Sequence, residues 1–247
     1  MQWCALTSYQ KENTEISSAK FDAKTAMYVA GMYVGDGWIR NWRGKTKKSV
    51  ILGLNASKYE KLRAVIGDIT HSISRERTTI KVHIGDTHFA NWLSDNFGRK
   101  SHAKTMPAWV LGHEFRSEFL RGFLDADGSR GPRGMVSVST TSRSLAYGIC
   151  DLLNVEGFVA SVGFVCTPDT CVIEGRMVNQ RDYYQVKANP QAVSRKSRVR
   201  HGYLLRRVVE YTPLGSETVY NIEVEEDHSY IVNGAVVHNC QAFSDIS

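Results

Sequence analysis

The sequence predicts a mixed α+β protein made of two related halves and a small all-β unit at the C-terminus. Two observations predict the halves. A succession of helix-spaced and strand-spaced segments occurs twice in the same order, and the first helix of each succession ends at an Asp-Gly pair, at Asp36 and at Asp127. The third observation is a change of composition near residue 203, after which β-branched and acidic residues predominate.

The first succession opens with a helix predicted over residues 26–34, which contains Gly31, is followed by Gly35 and stops at Asp36. Apolar residues at every second position predict strands, and apolar residues three or four positions apart predict helices. The elements that follow are a strand over 49–55, a helix over 57–66, a strand over 80–84 and a helix over 88–97.

The second succession repeats this order. Its opening helix is predicted over residues 114–126, with apolar and small residues on one side, and it stops at Asp127. The elements that follow are a strand over 135–140, a helix over 144–155, and strands over 158–166 and 182–186. The predicted regions are an N-terminal extension (1–22), a first half (23–106), a second half (107–202), a β-rich fragment (203–239) and a terminal remnant (240–247).

Charge is distributed unevenly along the chain. All 31 Lys and Arg residues lie within residues 1–207, whereas seven of the 25 Asp and Glu residues follow, so residues 1–207 have a net charge of +13. A body this basic attracts polyanions, and nucleic acid is the commonest in the cytosol. The sequence has neither a secretory signal pattern nor an apolar stretch of about twenty residues, so we expect a cytoplasmic protein that does not enter membranes.

The two helix ends share a nine-residue pattern. Residues 29–37 read VAGMYVGDG and residues 120–128 read LRGFLDADG. These segments closely resemble the LAGLIDADG motif of homing endonucleases, and two copies in one chain resemble the monomeric branch of that family. The resemblance implies two pseudo-symmetric αββαββα-type halves that form a DNA-binding saddle and cut both strands of double-stranded DNA, in a bacterial, phage or archaeal context.

The motif residues also have a physical reading. Gly31 and Gly35 are four positions apart, as are Gly122 and Ala126, so each helix offers a face on which two backbones can approach closely. The packed helices would bring Asp36 and Asp127 together, beside carbonyl groups at Gly35 and Ala126. Two adjacent carboxylates favour a divalent cation between them, here Mg²⁺ (or Mn²⁺).

Basic residues supply the other candidate functions. Lys104 lies in a Lys-x-x-Pro sequence that resembles a catalytic block of intein-borne homing endonucleases, and Lys196 is chosen as its counterpart in the second half. DNA contacts are expected from the polar faces of the strands. The candidates are Arg40, Arg43, Lys45, Lys47, Lys48, Lys81, His83, Arg130, Arg133, Arg181, Tyr183, Gln185 and Lys187.

The C-terminal region resembles the splicing blocks of inteins, which have a small all-β (Hint-like) fold. His238-Asn239-Cys240 and the upstream His228 carry the resemblance. An Asn before a nucleophile can cyclise and break the chain, two His residues can move protons, and Cys240 can accept an acyl group. Only about 25 residues precede the first motif helix, so we expect the C-terminal part of an intein, split or shortened, with an N-terminal intein fragment as a partner.

The sequence therefore predicts a site-specific homing endonuclease carried on an intein fragment. One alternative makes splicing in trans the main activity. The other is a DNA-binding or maturase-like protein on the same scaffold that no longer cleaves DNA. Both Asp36 and Asp127 are present, which favours the enzyme.

Overall fold

The computed structural model describes residues 2–5, 15–42, 46–168, 170–173, 176–190, 197–200, 203–206, 210, 212–213, 215, 229–232 and 235–238. The chain divides into two compact units, a larger one over Ser8–Pro190 and a smaller one made of Met1–Thr7 and Gln191–Ser247. The larger unit has a mixed α+β architecture with two four-stranded antiparallel sheets.

The helices begin where side chains can cap them. Asp22, Asn55, Asp86 and Ser142 each accept a hydrogen bond from the backbone N–H three residues later, which satisfies a free donor of the first helical turn. The described α-helices are α1 (Ala23–Asp36), α2 (Ala56–Ile66), α3 (Thr87–Phe97), α4 (Trp109–Gly112), α5 (Arg116–Asp127) and α6 (Arg143–Val155).

Strand β5 alternates buried and partly exposed residues, as the sequence predicts, with Ile80, Val82 and Ile84 buried. The described strands are β1 (Gln2–Ala5), β2 (Gly37–Asn41), β3 (Lys48–Leu54), β4 (Ser72–Glu76), β5 (Thr79–Ile84), β6 (Ser129–Arg130), β7 (Val136–Thr140), β8 (Phe158–Val165), β9 (Thr170–Ile173), β10 (Arg176–Asn179), β11 (Tyr183–Pro190), β12 (Ser197–Arg200), β13 (Tyr203–Arg206), β14 (Ser229–Val232) and β15 (Ala235–His238).

The two sheets of the larger unit have the same construction. The first has the order β2-β3-β5-β4 and the second the order β6-β7-β11-β8, so in each the last two strands along the chain exchange places. One helix precedes each sheet and one crosses between its second and third strands along the chain, namely α1 and α2 in the first half and α5 and α6 in the second. The repeated order of elements predicted from the sequence is confirmed.

Helices α1 and α5 pack directly against each other at the centre of the larger unit. Gly31 and Gly122 lie at the crossing: a Cβ atom on Gly31 would be 2.1 Å from the carbonyl oxygen of Phe119, and one on Gly122 would be 2.0 Å from that of Tyr28. A Cβ on Gly35 would be 2.5 Å from Cβ of Ala126. The prediction that these small residues permit a close approach of the two helices is therefore confirmed.

The smaller unit contains a five-stranded antiparallel sheet with the order β12-β13-β1-β15-β14. Strand β1 lies in its centre, where Gln2 pairs with Arg206 and Trp3 pairs with Val236. The sequence predicted an N-terminal extension over 1–22 and a β-rich fragment from 203, whereas the units divide at 7/8 and 190/191. The difference arises because β1 and β13 pair across about 200 residues, a distance over which periodicity gives no signal.

Within the residues that the structure describes, no helix combines the length and apolar character needed to cross a membrane.

Candidate active site between the motif helices

Asp36 and Asp127 are the last residues of α1 and α5, and the packing of these helices brings them to the same end of one interface. A Cβ atom on Gly35 would lie 3.3 Å from Cβ of Asp127, which places the backbone of the first motif against the second carboxylate. Burial, and next the negative charge of Asp36, raise the pKa of Asp127 above its usual value. The two carboxylates therefore share one electrostatic environment.

Lys104 is buried directly beneath this pair. Its Nζ donates hydrogen bonds to the carbonyl oxygens of Tyr33 at 2.5 Å, Val34 at 2.9 Å and Gly37 at 2.9 Å, so its three protons all go to the C-terminal end of α1. Burial lowers its pKa to about 8, and the charges of Asp36 and Asp127 oppose that shift. Lys104 holds the helix end in place and brings positive charge close to both carboxylates.

Lys58 is a member of the site that the sequence analysis did not identify. It lies in the first turn of α2, where the Asn55 cap accepts from its backbone N–H, and its Nζ donates to Oδ2 of Asp36 at 2.6 Å. In α6, Leu145 occupies the corresponding position after the Ser142 cap. Only the helix-start pattern at Asn55 could have suggested Lys58, because nothing in the sequence indicates that this turn approaches α1.

A cleft of about 330 Å³ opens beside the helix ends. Gly35, Lys104 and Asp127 line its floor, and Arg181 and Tyr183 line it from the segment that leads into β11. A larger cavity of about 500 Å³ lies against Trp42 and Lys47, and the residues described in its wall include no carboxylate. The smaller cleft therefore combines acidic and basic groups in a space that is open to solvent.

The donor set suits a hard divalent cation that keeps most of its water. Mg²⁺ binds oxygen ligands, and its protein ligands are usually one or two carboxylates, with the substrate phosphate and waters completing the octahedron. Asp36 and Asp127 supply two carboxylates, with the Gly35 and Ala126 carbonyls beside them. No group of three or more His, Cys, Asp or Glu suited to a metal occurs in the described part of the chain, so a closed structural site is not formed there.

The first sheet turns several of the predicted DNA-contacting residues away from the helices. Ile39 on β2 and Val82 on β5 belong to the core, so Arg40, Lys81 and His83 lie on the opposite, outward face. The guanidinium of Arg40 stacks on Trp42, 4.6 Å from the ring centroid. Burial, then the charges of Arg40 and Lys81, lower the pKa of His83.

Two lysines near β3 differ in their surroundings. Lys47 lines the cavity beside Trp42, whereas Lys48 donates to Oδ1 of Asn91 at 2.6 Å, on the helix-facing side of the sheet. The interaction with Asn91 draws Lys48 away from the outward face. Arg43 and Lys45, which were predicted to contact DNA with them, lie outside the described residues.

The second sheet presents several predicted DNA-contacting residues on its outward face. Tyr183, Gln185 and Lys187 alternate along β11 with the buried Val186 and Ala188. Arg130 is exposed at the end of the edge strand β6, and Arg133 is exposed in the turn that follows, with a φ of 58°. These residues and Arg181 lie where the sequence analysis predicted polar groups on or beside the second sheet.

Of the remaining predicted site residues, only His238 lies in the described part of the chain. Lys196, His228, Asn239 and Cys240 lie outside the described residues. His238 is the last residue of β15, and its backbone pairs with Ser229 of β14. Their assigned roles stay predictions from the sequence.

Comparison with known proteins identifies one family within the chain: residues 114–163 match the model of the LAGLIDADG-like domain. This segment includes α5, the Asp127 helix end, β7 and α6.

Three curated relatives match longer stretches. ATP-dependent DNA helicase Hel308 of Thermococcus kodakarensis is 28% identical over 240 residues, which is 82% of this chain and 20% of the helicase. Replication factor C small subunit of Methanocaldococcus jannaschii is 28% identical over 166 residues, 60% of this chain and 9% of that protein. An iron-sulfur cluster assembly SufBD family protein of Mycobacterium tuberculosis is 30% identical over 157 residues, 61% of this chain and 19% of that protein. The chain thus spans a fifth or less of these relatives.

Solved structures give a similar picture at low sequence identity. The homing endonuclease I-DmoI in complex with DNA and Ca covers 67% of this chain and 83% of its own, with a TM-score of 0.43 and 10% identity. The match to I-DmoI with DNA and Mn covers 67% of this chain and 89% of that chain, with a TM-score of 0.41 and 12% identity. The match to I-WcaI bound to its DNA recognition sequence covers 70% of this chain and 77% of that chain, with a TM-score of 0.44 and 12% identity. The family match is thus confined to residues 114–163, and the homing endonuclease structures are distant matches.

Proposed function

We propose that the larger unit is a metal-dependent endonuclease that makes site-specific double-strand cuts in DNA. The observation that carries this proposal is the delivery of Asp36 and Asp127, by two directly packed helices, to the same end of one interface. Two neighbouring carboxylates repel each other, and a cation bound between them removes this repulsion. Both motif helices belong to one chain, which supports a monomeric enzyme.

The chain's own groups have distinct roles in this proposal. Asp36, Asp127 and the Gly35 and Ala126 carbonyls would hold Mg²⁺ or Mn²⁺, which when bound lowers the pKa of a water and stabilises the leaving oxygen of a phosphodiester. The three hydrogen bonds of Lys104 fix the end of α1, so Lys104 orients Asp36 and contributes positive charge near the phosphate. Lys196 is proposed to do the same in the second half.

DNA would lie along the outward faces of the two sheets. An antiparallel sheet can enter the major groove, and side chains at alternate positions then reach either base edges or phosphates. Arg40, Lys47 and Lys81 from the first half and Arg181 and Lys187 from the second supply positive charge on or beside those faces. The net charge of +13 over residues 1–207 favours the same partner.

The test is selective loss of cleavage. A target is first selected from a randomised duplex library with Mg²⁺, and Asp36→Asn and Asp127→Asn are then compared with the wild-type protein. We expect both variants to bind the target and neither to cut it, because each substitution removes a metal ligand but no phosphate contact. The matched control is Asp125→Asn, which changes a carboxylate on the same helix that contacts Tyr28 and Lys61 instead.

Full cleavage by either motif variant would rule out the proposed active site. Binding of a specific target by the wild-type protein without cleavage, in Mg²⁺ and in Mn²⁺, would instead favour the cleavage-deficient, maturase-like alternative.

We also propose that the chain is carried as an intein. The three relatives described above are a DNA helicase, a replication factor C small subunit and an iron-sulfur cluster assembly family protein, and each matches over a fifth or less of its own length. A segment that recurs in otherwise different proteins behaves as an insertion, and an insertion must be removed for its host to function. The proposed splicing groups are His228, His238, Asn239 and Cys240.

In that reaction the side-chain nitrogen of Asn239 attacks its own carbonyl carbon, and the peptide bond to Cys240 breaks as a succinimide forms. We expect a cognate N-terminal intein fragment to trigger release of residues 240–247, measured by intact-mass spectrometry. Asn239→Ala should abolish the release, while the control Asn233→Ala should permit it. Release of residues 240–247 from the Asn239→Ala variant would refute the assignment of Asn239. The endonuclease proposal does not depend on that result.

A further inference from the structure

The outward faces of the two sheets differ in chemistry. In the first sheet, Trp38, Ile51 and His83 are cross-strand neighbours in one row of the outward face. Ile51 is only 1% exposed although it lies on the side away from the helices, while Trp38 is 39% exposed. The row therefore contains an apolar island on a surface whose other described members are mostly polar or charged.

Trp38 rests on a site shaped for it. Its indole lies across Gly53 of β3, where an added Cβ atom would be 3.1 Å from Cζ3 of the ring. A Cβ atom at position 53 would press on the indole, so the glycine lets the ring lie close to the strand. Ile51 is the cross-strand neighbour of Trp38, and Trp38 itself remains partly exposed. The result is a partly exposed apolar surface two residues along the chain from Asp36.

The middle of the outward face of the second sheet is polar, with Ser139, Gln185 and Lys187, while Val165 lies beside Tyr183 towards one end of the face and Val159 towards the other. Gln185 on β11 lies between Ser139 of β7 and Gly163 of β8. Gly163 has no side chain, so none extends from this position of β8 beside Gln185. Gln185 can donate and accept hydrogen bonds, whereas Trp38 and Ile51 mainly offer apolar contact.

We propose that Trp38, supported by Ile51, recognises the 5-methyl group of thymine in the half of the DNA site contacted by the first sheet. This inference rests on the proposed function, because it requires DNA on the outward faces. Thymine is the unmodified base that presents a methyl group in the major groove, and apolar side chains recognise it by contact. The substrate class is thus an asymmetric duplex with one or two thymines that are required in that half-site.

The test removes the methyl group and nothing else. Each thymine of the selected target is replaced singly by deoxyuridine, and binding is measured in Ca²⁺ to prevent cutting. Wild-type protein should bind about fourfold more weakly at one or two positions, which is the effect of exposing one methyl group. Trp38→Ala should bind the normal and the uracil-containing duplexes equally.

Gln185→Ala is the matched control from the other sheet. It should retain the full sensitivity to uracil in the first half-site while losing its preference at one position in the second. Trp38→Phe keeps an aromatic surface and provides a second variant in case Trp38→Ala unfolds, as judged by circular dichroism; it should retain part of the sensitivity.

The outcomes separate this inference from the function on which it rests. Equal binding of every singly substituted duplex by the wild-type protein would overturn the thymine contact, while a selected target that is cleaved would still stand as evidence of a nuclease. Undiminished uracil sensitivity in folded Trp38→Ala would overturn it as well. Failure to select any target would remove both proposals.

Discussion

Replacing Gly31 by Ala tests the helix crossing on which the candidate site depends. A Cβ atom at this position would lie 2.1 Å from the carbonyl oxygen of Phe119 and 2.6 Å from the backbone nitrogen of Phe123. Both are main-chain atoms of α5, so no side chain can rotate to relieve the overlap. The two helices must separate by about 1 Å or more to restore ordinary contact distances.

The energetic effect follows from what surrounds the crossing. Overpacking a core typically costs about 1–3 kcal/mol, and relief here requires movement of two helices whose facing residues are almost fully buried. Alanine's better helix propensity offsets only about 1 kcal/mol. Because relief requires movement of both helices, the cost lies at the upper end of that range, so we expect a net destabilisation of about 2 kcal/mol. This lowers the melting temperature by roughly 4–8 °C for a domain of this size.

Thermal and urea unfolding measure this effect, and Gly85→Ala is the matched control. No atom lies within 4 Å of an added Cβ at Gly85, so its melting temperature should stay close to that of the wild-type protein. If Gly31→Ala and Gly85→Ala melt at the same temperature, the helices are not in the close contact from which the shared active site is inferred.

Two further predictions concern pH. The pKa of Asp127 is higher in the folded state, so the folded chain binds more protons than the unfolded chain in the acid range and loses stability as the pH rises there. The Asp127→Asn variant should therefore melt at a higher temperature than the wild-type protein at pH 7. The two melting temperatures should converge near pH 3. Burial lowers the pKa of Lys104 to about 8, so between pH 8 and about 10.5 the unfolded chain binds more protons than the folded chain. The free energy of unfolding of the wild-type protein should therefore increase over this pH range relative to that of Lys104→Met, by at most about 3 kcal/mol. Melting curves across each range check both.

Local patterns in the sequence were sufficient to predict the framework of the larger unit. The helix ends at Asp36 and Asp127 and the alternation in β5 depend on residues a few positions apart, so periodicity reveals them. The glycine spacing likewise predicts which helix faces can meet, although only the structure pairs Gly31 with Phe119 and Gly122 with Tyr28. The short strands β2, β4 and β6 were not predicted, because each has too few alternating residues to give a clear period.

Contacts between distant parts of the chain could not be predicted in this way. Lys104 reaches Tyr33 across 71 residues, and its burial beneath the helix ends follows from the packing of the whole unit. The pairing of β1 with β13 joins opposite ends of the chain. Lys58 is only 22 residues from Asp36, but a charged residue in a surface helix is ordinary, so its ion pair left no sign in the sequence.

The two halves have the same strand order but differ in the groups that surround their aspartates and cover their outward faces. Lys58 pairs with Asp36, whereas the corresponding position near Asp127 is Leu145. A dimer of identical subunits offers two equal surfaces and therefore selects a site with matching half-sites. A chain with two different halves is free of that restriction, because each sheet can favour its own sequence. In the proposed function, the joining of the halves in one chain is what would permit the apolar surface at Trp38 and the amide at Gln185 to contact one asymmetric duplex.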